Sequence, residues 1–295
     1  MDFLQLRQAV SEAFWQKDYS KFNALMESFL TEACGEDYGR ALCLKASWFL
    51  MADVKNAAQG FVLVDEAIPL VRKNPAALME ALTIALGLCH RLSDTERARV
   101  YEDGACRLLL ECTASPEVRA RRHRLQLNLG QVAYLRGDFA TAYWHFVQAA
   151  NSLTDSTVSV SEQRWFGAVI QVHIAMSCLR VRRFWEAQEA LDTAEQSSIA
   201  LEQKLRVAVW RAELLRQLGQ GDEAARILSP LLAEVLSCDS TDVRGRFYWV
   251  SALVAQDVGD LQKFHHFLHA ARTEAVEHEH DYLLGEIQRF QRSPI

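Results

Sequence analysis

The sequence predicts an all-α protein built from about seven helical hairpins and a C-terminal capping helix. Three observations carry that reading. Good helix formers (Ala, Leu, Glu, Gln, Arg) dominate, and the 295 residues include only 13 glycines and 5 prolines, few for a β-rich chain with many tight turns. Apolar residues recur at three- and four-residue spacing between turn signals. One stretch is patterned for helix-on-helix packing: Leu129-Gly130, Gly137-Asp138, Ala142, Phe146 and Ala149. Small residues there sit where two helices touch, a glycine marks the turn, and an aromatic fills the gap.

In chain order, periodicity alone places the first pair at 2–16 and 18–33 and the second at 36–52 and 55–73. The third, at 75–91 and 94–112, is opened by Asn74-Pro75 and by Ser93-Asp94-Thr95-Glu96. A capping side chain before a proline at the first helical position costs nothing, because that N–H has no helical partner. Ser115-Pro116-Glu117 opens the fourth, at 116–136 and 138–152, with Gly137-Asp138 between its helices. The fifth is expected at 160–181 and 183–198. The sixth, at 201–218 and 221–236, has Gly221-Asp222 as its turn, and the seventh, at 241–257 and 259–277, has Gly259-Asp260. A last amphipathic helix, 279–291, has Glu286, Gln288 and Arg289 on a polar side and Tyr282, Leu283, Ile287 and Phe290 on an apolar one. Pro69 and Pro230 should kink or end the second helices that hold them. The Ser/Thr-rich stretch 151–161 reads as an irregular junction between pairs within a single domain, 1–295, with a domain boundary there as the alternative.

Composition narrows the class. Half the residues are apolar and 24% are charged, which suits a continuous core. A net charge of −6 disfavours a mainly nucleic-acid-binding role. Met1-Asp2-Phe3-Leu4 lacks the basic start and apolar run of a signal peptide, and no stretch has the length of a membrane span. The seven cysteines (Cys34, Cys43, Cys89, Cys106, Cys112, Cys178, Cys238) form no CxxC pair and read as reduced thiols of a cytoplasmic protein.

The packing pattern resembles the tetratricopeptide repeat (TPR) family. Residues 123–154 match that family's pattern at Leu129, Gly130, Gly137, Ala142, Phe146 and Ala149, with Ala133 where a large residue is usual. Residues 168–199 match at Ala175, Ala187, Leu191 and Ala194, but Arg182 stands at the turn glycine. Residues 205–236 match at Ala212, Leu215, Gly219, Ala224 and Leu228, and residues 245–276 at Ala252, Gly259, Leu268 and Ala271, with Phe264 in place of an alanine. The interval from Ala142 to Ala187 is 45 residues, from Ala187 to Ala224 is 37, and from Ala224 to Phe264 is 40. A standard unit is ~34, so these repeats are elongated. In texture they are similar to bacterial regulators of the MalT and Rap/PlcR types. The resemblance implies a right-handed α-α superhelix, a TPR-like solenoid, whose first helices line a concave groove.

The resemblance also implies which strip lines that groove. In the best repeat it is Arg124, Leu127, Asn128, Gln131 and Tyr134. In register it continues through Val172, His173 and Met176, then Arg206, Trp210, Glu213 and Arg216, then Arg246, Trp249 and Gln256, with Lys45 and Phe49 in the second pair. Arg and Asn can hold a carboxylate or an extended backbone, and aromatics add contact area. The same residues could instead be inter-repeat packing. A carboxylate clamp of Lys, Asn and Arg on consecutive repeats fits only Asn128 and Arg206.

Other chemistry is weakly signalled. Arg119, Arg121, Arg122 and Arg124 with His123, and Arg180, Arg182 and Arg183, read as solvated helix faces more readily than as phosphate contacts. His265 and His269 share a helix face without the HExxH glutamate of a metal site. Nucleophile-elbow, P-loop and dinucleotide motifs are absent. Most of Trp15, Trp48, Trp144, Trp165, Trp185, Trp210 and Trp249 read as packing residues; Trp144 and Trp185, on second helices, are expected on the convex side or between repeats, and Trp210 and Trp249 are the better groove candidates. The expectation is a non-enzymatic peptide- or protein-binding scaffold without cofactor or metal, the sensor or interaction module of a bacterial regulatory system. The alternative is a structural subunit or homo-oligomer assembling through its convex face or ends.

Overall fold

The computed structural model describes residues 2–16, 18–51, 57–112, 115–154, 158–278 and 280–292. Among them no strand occurs. The predicted helix boundaries at 52, 55 and 279, and part of the 151–161 junction, lie outside the described residues. Two compact units emerge, Met1–Asn128 and Leu129–Ile295, and the division falls inside the seventh helix.

The first unit contains α1 (Phe3–Trp15), α2 (Tyr19–Glu32), α3 (Gly35–Met51), α4 (Ala57–Val71), α5 (Pro75–Arg91), α6 (Thr95–Glu111) and the start of α7 (Pro116–Leu135). Helices adjacent in sequence pack on one another from α1 through α6, and α3 also meets α5. Phe3, Leu6, Val10 and Ala13 of α1 bury against Phe22, Met26 and Ala41.

The second unit continues with α8 (Phe139–Thr154), α9 (Val160–Arg180), α10 (Phe184–Ser197), α11 (Leu201–Gln217), α12 (Gly221–Leu228), a 3-10 turn (Ser229–Leu231), α13 (Leu232–Ser237), α14 (Thr241–Asp257), α15 (Leu261–Glu277) and α16 (Asp281–Arg292). Here α9 packs on α11 and α11 on α14, each alongside its own hairpin partner. Pro230 breaks the second helix of its pair, as its missing N–H requires, whereas Pro69 sits in the last turn of α4, which ends at Val71.

The turns explain the regularity. Ser93, Gly137, Arg182, Gly219 and Gly259 all adopt left-handed backbone, with φ from 52° to 80°. The N–H of the residue after each returns to the carbonyl five positions earlier, as in Asp94 N to Cys89 O (2.9 Å), Arg183 N to Cys178 O (2.9 Å) and Asp260 N to Ala255 O (2.8 Å). This closes the end of each first helix. Asp94, Asp138 and Asp260 then cap the next helix, accepting from Arg97 N (2.9 Å), Thr141 N (3.1 Å) and Lys263 N (3.0 Å). Gly221, expected at the sixth turn, instead opens α12. Gly219 is the left-handed residue there, and Gln220 stands at the cap.

Candidate functional site

The second unit contains a half-open cavity of about 420 Å³ lined by α9, α11, α14 and α16. Trp210, Glu213 and Arg216 come from α11, Arg246, Trp249 and Gln256 from α14, Arg180 from α9, and Glu286 and Phe290 from α16. The spacings Trp210/Glu213 and Arg246/Trp249/Leu253 repeat every three or four residues, so each set lies on one helix face.

α16 is held by two faces. Leu283 and Ile287 bury with Trp249, Leu253, Ala271 and Ala275, and Phe290 meets Trp249 edge-on at 5.3 Å between ring centres. Gly245 permits this approach, since a Cβ there would lie 2.8 Å from Leu283 Cδ2. The second face is polar. Glu286, expected on the solvent side, is 8% exposed and ion-pairs with both Arg180 and Arg246. The reason for the difference is its neighbourhood: a carboxylate one turn from Tyr282 is drawn inward where two guanidiniums already converge.

Tyr134 and Tyr282 complete this cluster. Arg180 Nε donates to Tyr134 Oη at 2.8 Å, the two tyrosine rings lie 5.8 Å apart, and the Arg246 guanidinium sits 5.1 Å from the centre of the Trp210 ring. Burial pushes the Tyr134 phenol above its ordinary pKa, so it stays neutral and accepts from Arg180. Burial lowers the Arg246 guanidinium from its ordinary value, partly offset by Tyr134, and Arg180 beside it acts in the same direction as burial. Two cations therefore share one carboxylate. Deeper on α11, Arg216 holds Glu213 through two bonds (2.8 and 3.0 Å) and reaches Asp257 at 3.1 Å, while Gln217 donates to Glu213 at 2.6 Å.

Of the strip read from the sequence, Tyr134, Trp210, Glu213, Arg216, Arg246, Trp249 and Gln256 fall in this cavity or in the cluster beside it. His173 lies elsewhere in the same unit: it is buried, 3.0 Å from Gln131 Nε2 through its own Nε2, and its ring packs on Phe146 at 5.1 Å. Met176 is half-buried on α9. Arg206 is spent on Glu202 (2.8 Å) and Asp242. In the first unit, Asn128 donates to Thr83 O at 2.6 Å and ties α7 to α5. Phe49 lies against Gly60 of α4, and Lys45 and Arg124 are half-buried.

Arg180, Tyr282 and Glu286 were missed by the strip. Their signal was present but indirect: Arg180 ends its helix two residues before the left-handed Arg182, and Tyr282 and Glu286 share an edge of α16 at a four-residue spacing. The basic runs are not uniform solvated faces. His123 is fully buried, Arg121 lies 3.7 Å from Glu80, and Arg183 pairs with Glu186. His265 and His269 are exposed, and among the described residues no group of three or more metal-ligating side chains assembles. Cys43 and Cys89 are buried thiols pushed up to about 12, and Cys178 to about 11, chiefly by burial, which keeps them protonated and unreactive at neutral pH. Trp144 and Trp185, expected on the convex side or between repeats, are 54% and 80% exposed. No helix among the described residues is long and apolar enough to cross a membrane. No protein-family model matches the sequence, and no curated protein matches it.

Proposed function

We propose that the chain is a non-enzymatic scaffold of TPR-like repeats that captures a peptide or protein segment on the inner face of its second unit. In this reading the hairpins of that unit stack as a right-handed α-α superhelix, and α9, α11 and α14 line its groove. The observation that carries the proposal is the cavity itself. It combines two indoles, Trp210 and Trp249, with arginines from three successive first helices. Aromatic and arginine side chains in a partly desolvated recess are the residues that dominate protein recognition. A role as the interaction module of a cytoplasmic bacterial regulatory system fits this chemistry.

A photo-reactive phenylalanine analogue at Gln256, which lines the cavity, tests the reading. The full chain carrying it should cross-link to a segment of one partner in extract of the source cell, and the same analogue at the outward-facing Trp185 should not. Equal cross-linking from both positions, or none from Gln256, contradicts the groove. The exposed indoles of Trp144 and Trp185 favour the alternative of self-assembly through outer surfaces. In that case Trp185 would cross-link to a second copy of the chain.

A further inference from the structure

α16 touches the inner face at three successive turns. Tyr282 meets Tyr134 and lies within 3.4 Å of Arg180 Nη2 through its hydroxyl, Glu286 bridges Arg180 and Arg246, and Phe290 stands edge-on to Trp249. The spacing is four residues each time, so aromatic, acid and aromatic form one edge of a single helix. Capping alone does not call for this edge. Leu283 and Ile287 already bury α16 on α14 and α15, and a buried ion pair generally holds an element no better than apolar packing of the same volume. The bridge does share one carboxylate between two guanidiniums, and emptying it would take from both the acid that ion-pairs with them.

We infer that Arg180 and Arg246 form a carboxylate-recognition site for a helical segment that carries an acidic side chain flanked one turn away on each side by aromatics, and that α16 is a copy of that segment held in cis. The inference rests on the groove being the partner site. An incoming acidic helix competes for the same arginines and indole, in the helix-in-groove mode. α16 is suited to exchange. It has 12 residues, a length at which an isolated helix is marginal. Tethering gives it a high effective concentration, so the partner must bind more tightly than a free copy of α16 would.

The test uses a fluorescein-labelled synthetic peptide copying residues 280–292 and the full-length chain, read by fluorescence anisotropy. The peptide should bind the Glu286→Ala chain roughly tenfold or more tighter than the wild-type chain, because the cis copy no longer competes. The same peptide carrying Glu286→Gln should lose roughly tenfold or more against that variant. Equal affinity for the two chains, no binding to the variant, or full binding by the Gln peptide overturns the inference. If circular dichroism shows that Glu286→Ala has lost helix, Phe290→Ala replaces it. It removes the ring that α16 lays against Trp249 and leaves the receiving face unchanged, so the same tightening is expected. A failed peptide experiment with intact cross-links at Gln256 sinks this inference alone. Cross-links absent but the peptide effect present sinks the partner reading and leaves the α16 site standing.

Discussion

Phe146 is fully buried, and its ring lies against the bare backbone of Gly130, where a Cβ would stand 2.5 Å from Cε1. The ring is stiff and enclosed, so the contact cannot yield cheaply. Gly130→Ala should lower stability by about 1–3 kcal/mol, the usual cost of overpacking, and urea unfolding of the full chain measures it. An unchanged midpoint would mean that the close approach is not part of the packing. This pair was legible in the sequence because both partners belong to one hairpin, with the turn at Gly137 between them. The Arg180–Glu286–Arg246 bridge was not. Its members come from α9, α16 and α14, and no local spacing records which distant side chains meet. Glu286 in particular reads as a surface residue until Arg180 and Arg246 are placed beside it.

At the scale of elements, hairpin turns were readable from chemistry that acts within a few residues. Asn74-Pro75 caps α5 through two bonds of 3.1 Å to Ala76 N and Ala77 N, and Asp138 and Asp260 cap α8 and α15 as their position after a glycine implied. Gly221 misled because two glycines flank one turn and only the first meets the need for positive φ. Arg182 and Ser93 hold the same left-handed conformation without being glycine, so the turn geometry outlasts the residue that usually marks it. α16 was correctly read as amphipathic, but its polar edge was assigned to solvent. Amphipathicity gives the direction of an apolar face and says nothing of what stands opposite the polar one.

At the scale of the whole molecule, each unit carries a buried histidine whose charge folding suppresses. His123 and His145 are lowered to about 4, chiefly by burial, with Arg124 and Arg136 respectively acting in the same direction. The unfolded chain titrates them near 6.5, so between pH 6.5 and about 4 it binds more protons than the folded chain. Their stabilising contribution is complete above pH 6.5 and is lost as pH falls through that window, by about 1.4 kcal/mol per pH unit for each histidine. Urea midpoints should therefore fall between pH 7 and pH 5, and His123→Leu should shrink the difference. Identical midpoints at the two pH values would contradict the burial of these rings. The all-helical class and the order of hairpins followed from periodicity and turns. Which residues of α9, α11, α14 and α16 converge depends on how one hairpin stacks on the next, which no local spacing records.

The central claim is that recognition belongs to the inner face of α9, α11 and α14, with α16 laid upon it. Amide hydrogen exchange over the full chain, with and without the partner cross-linked at Gln256, tests it most directly. The account predicts new protection in the C-terminal halves of α11 and α14 together with faster exchange in α16 as it is displaced. Protection confined to the outer helices α8 and α10, with α16 unchanged, would contradict it.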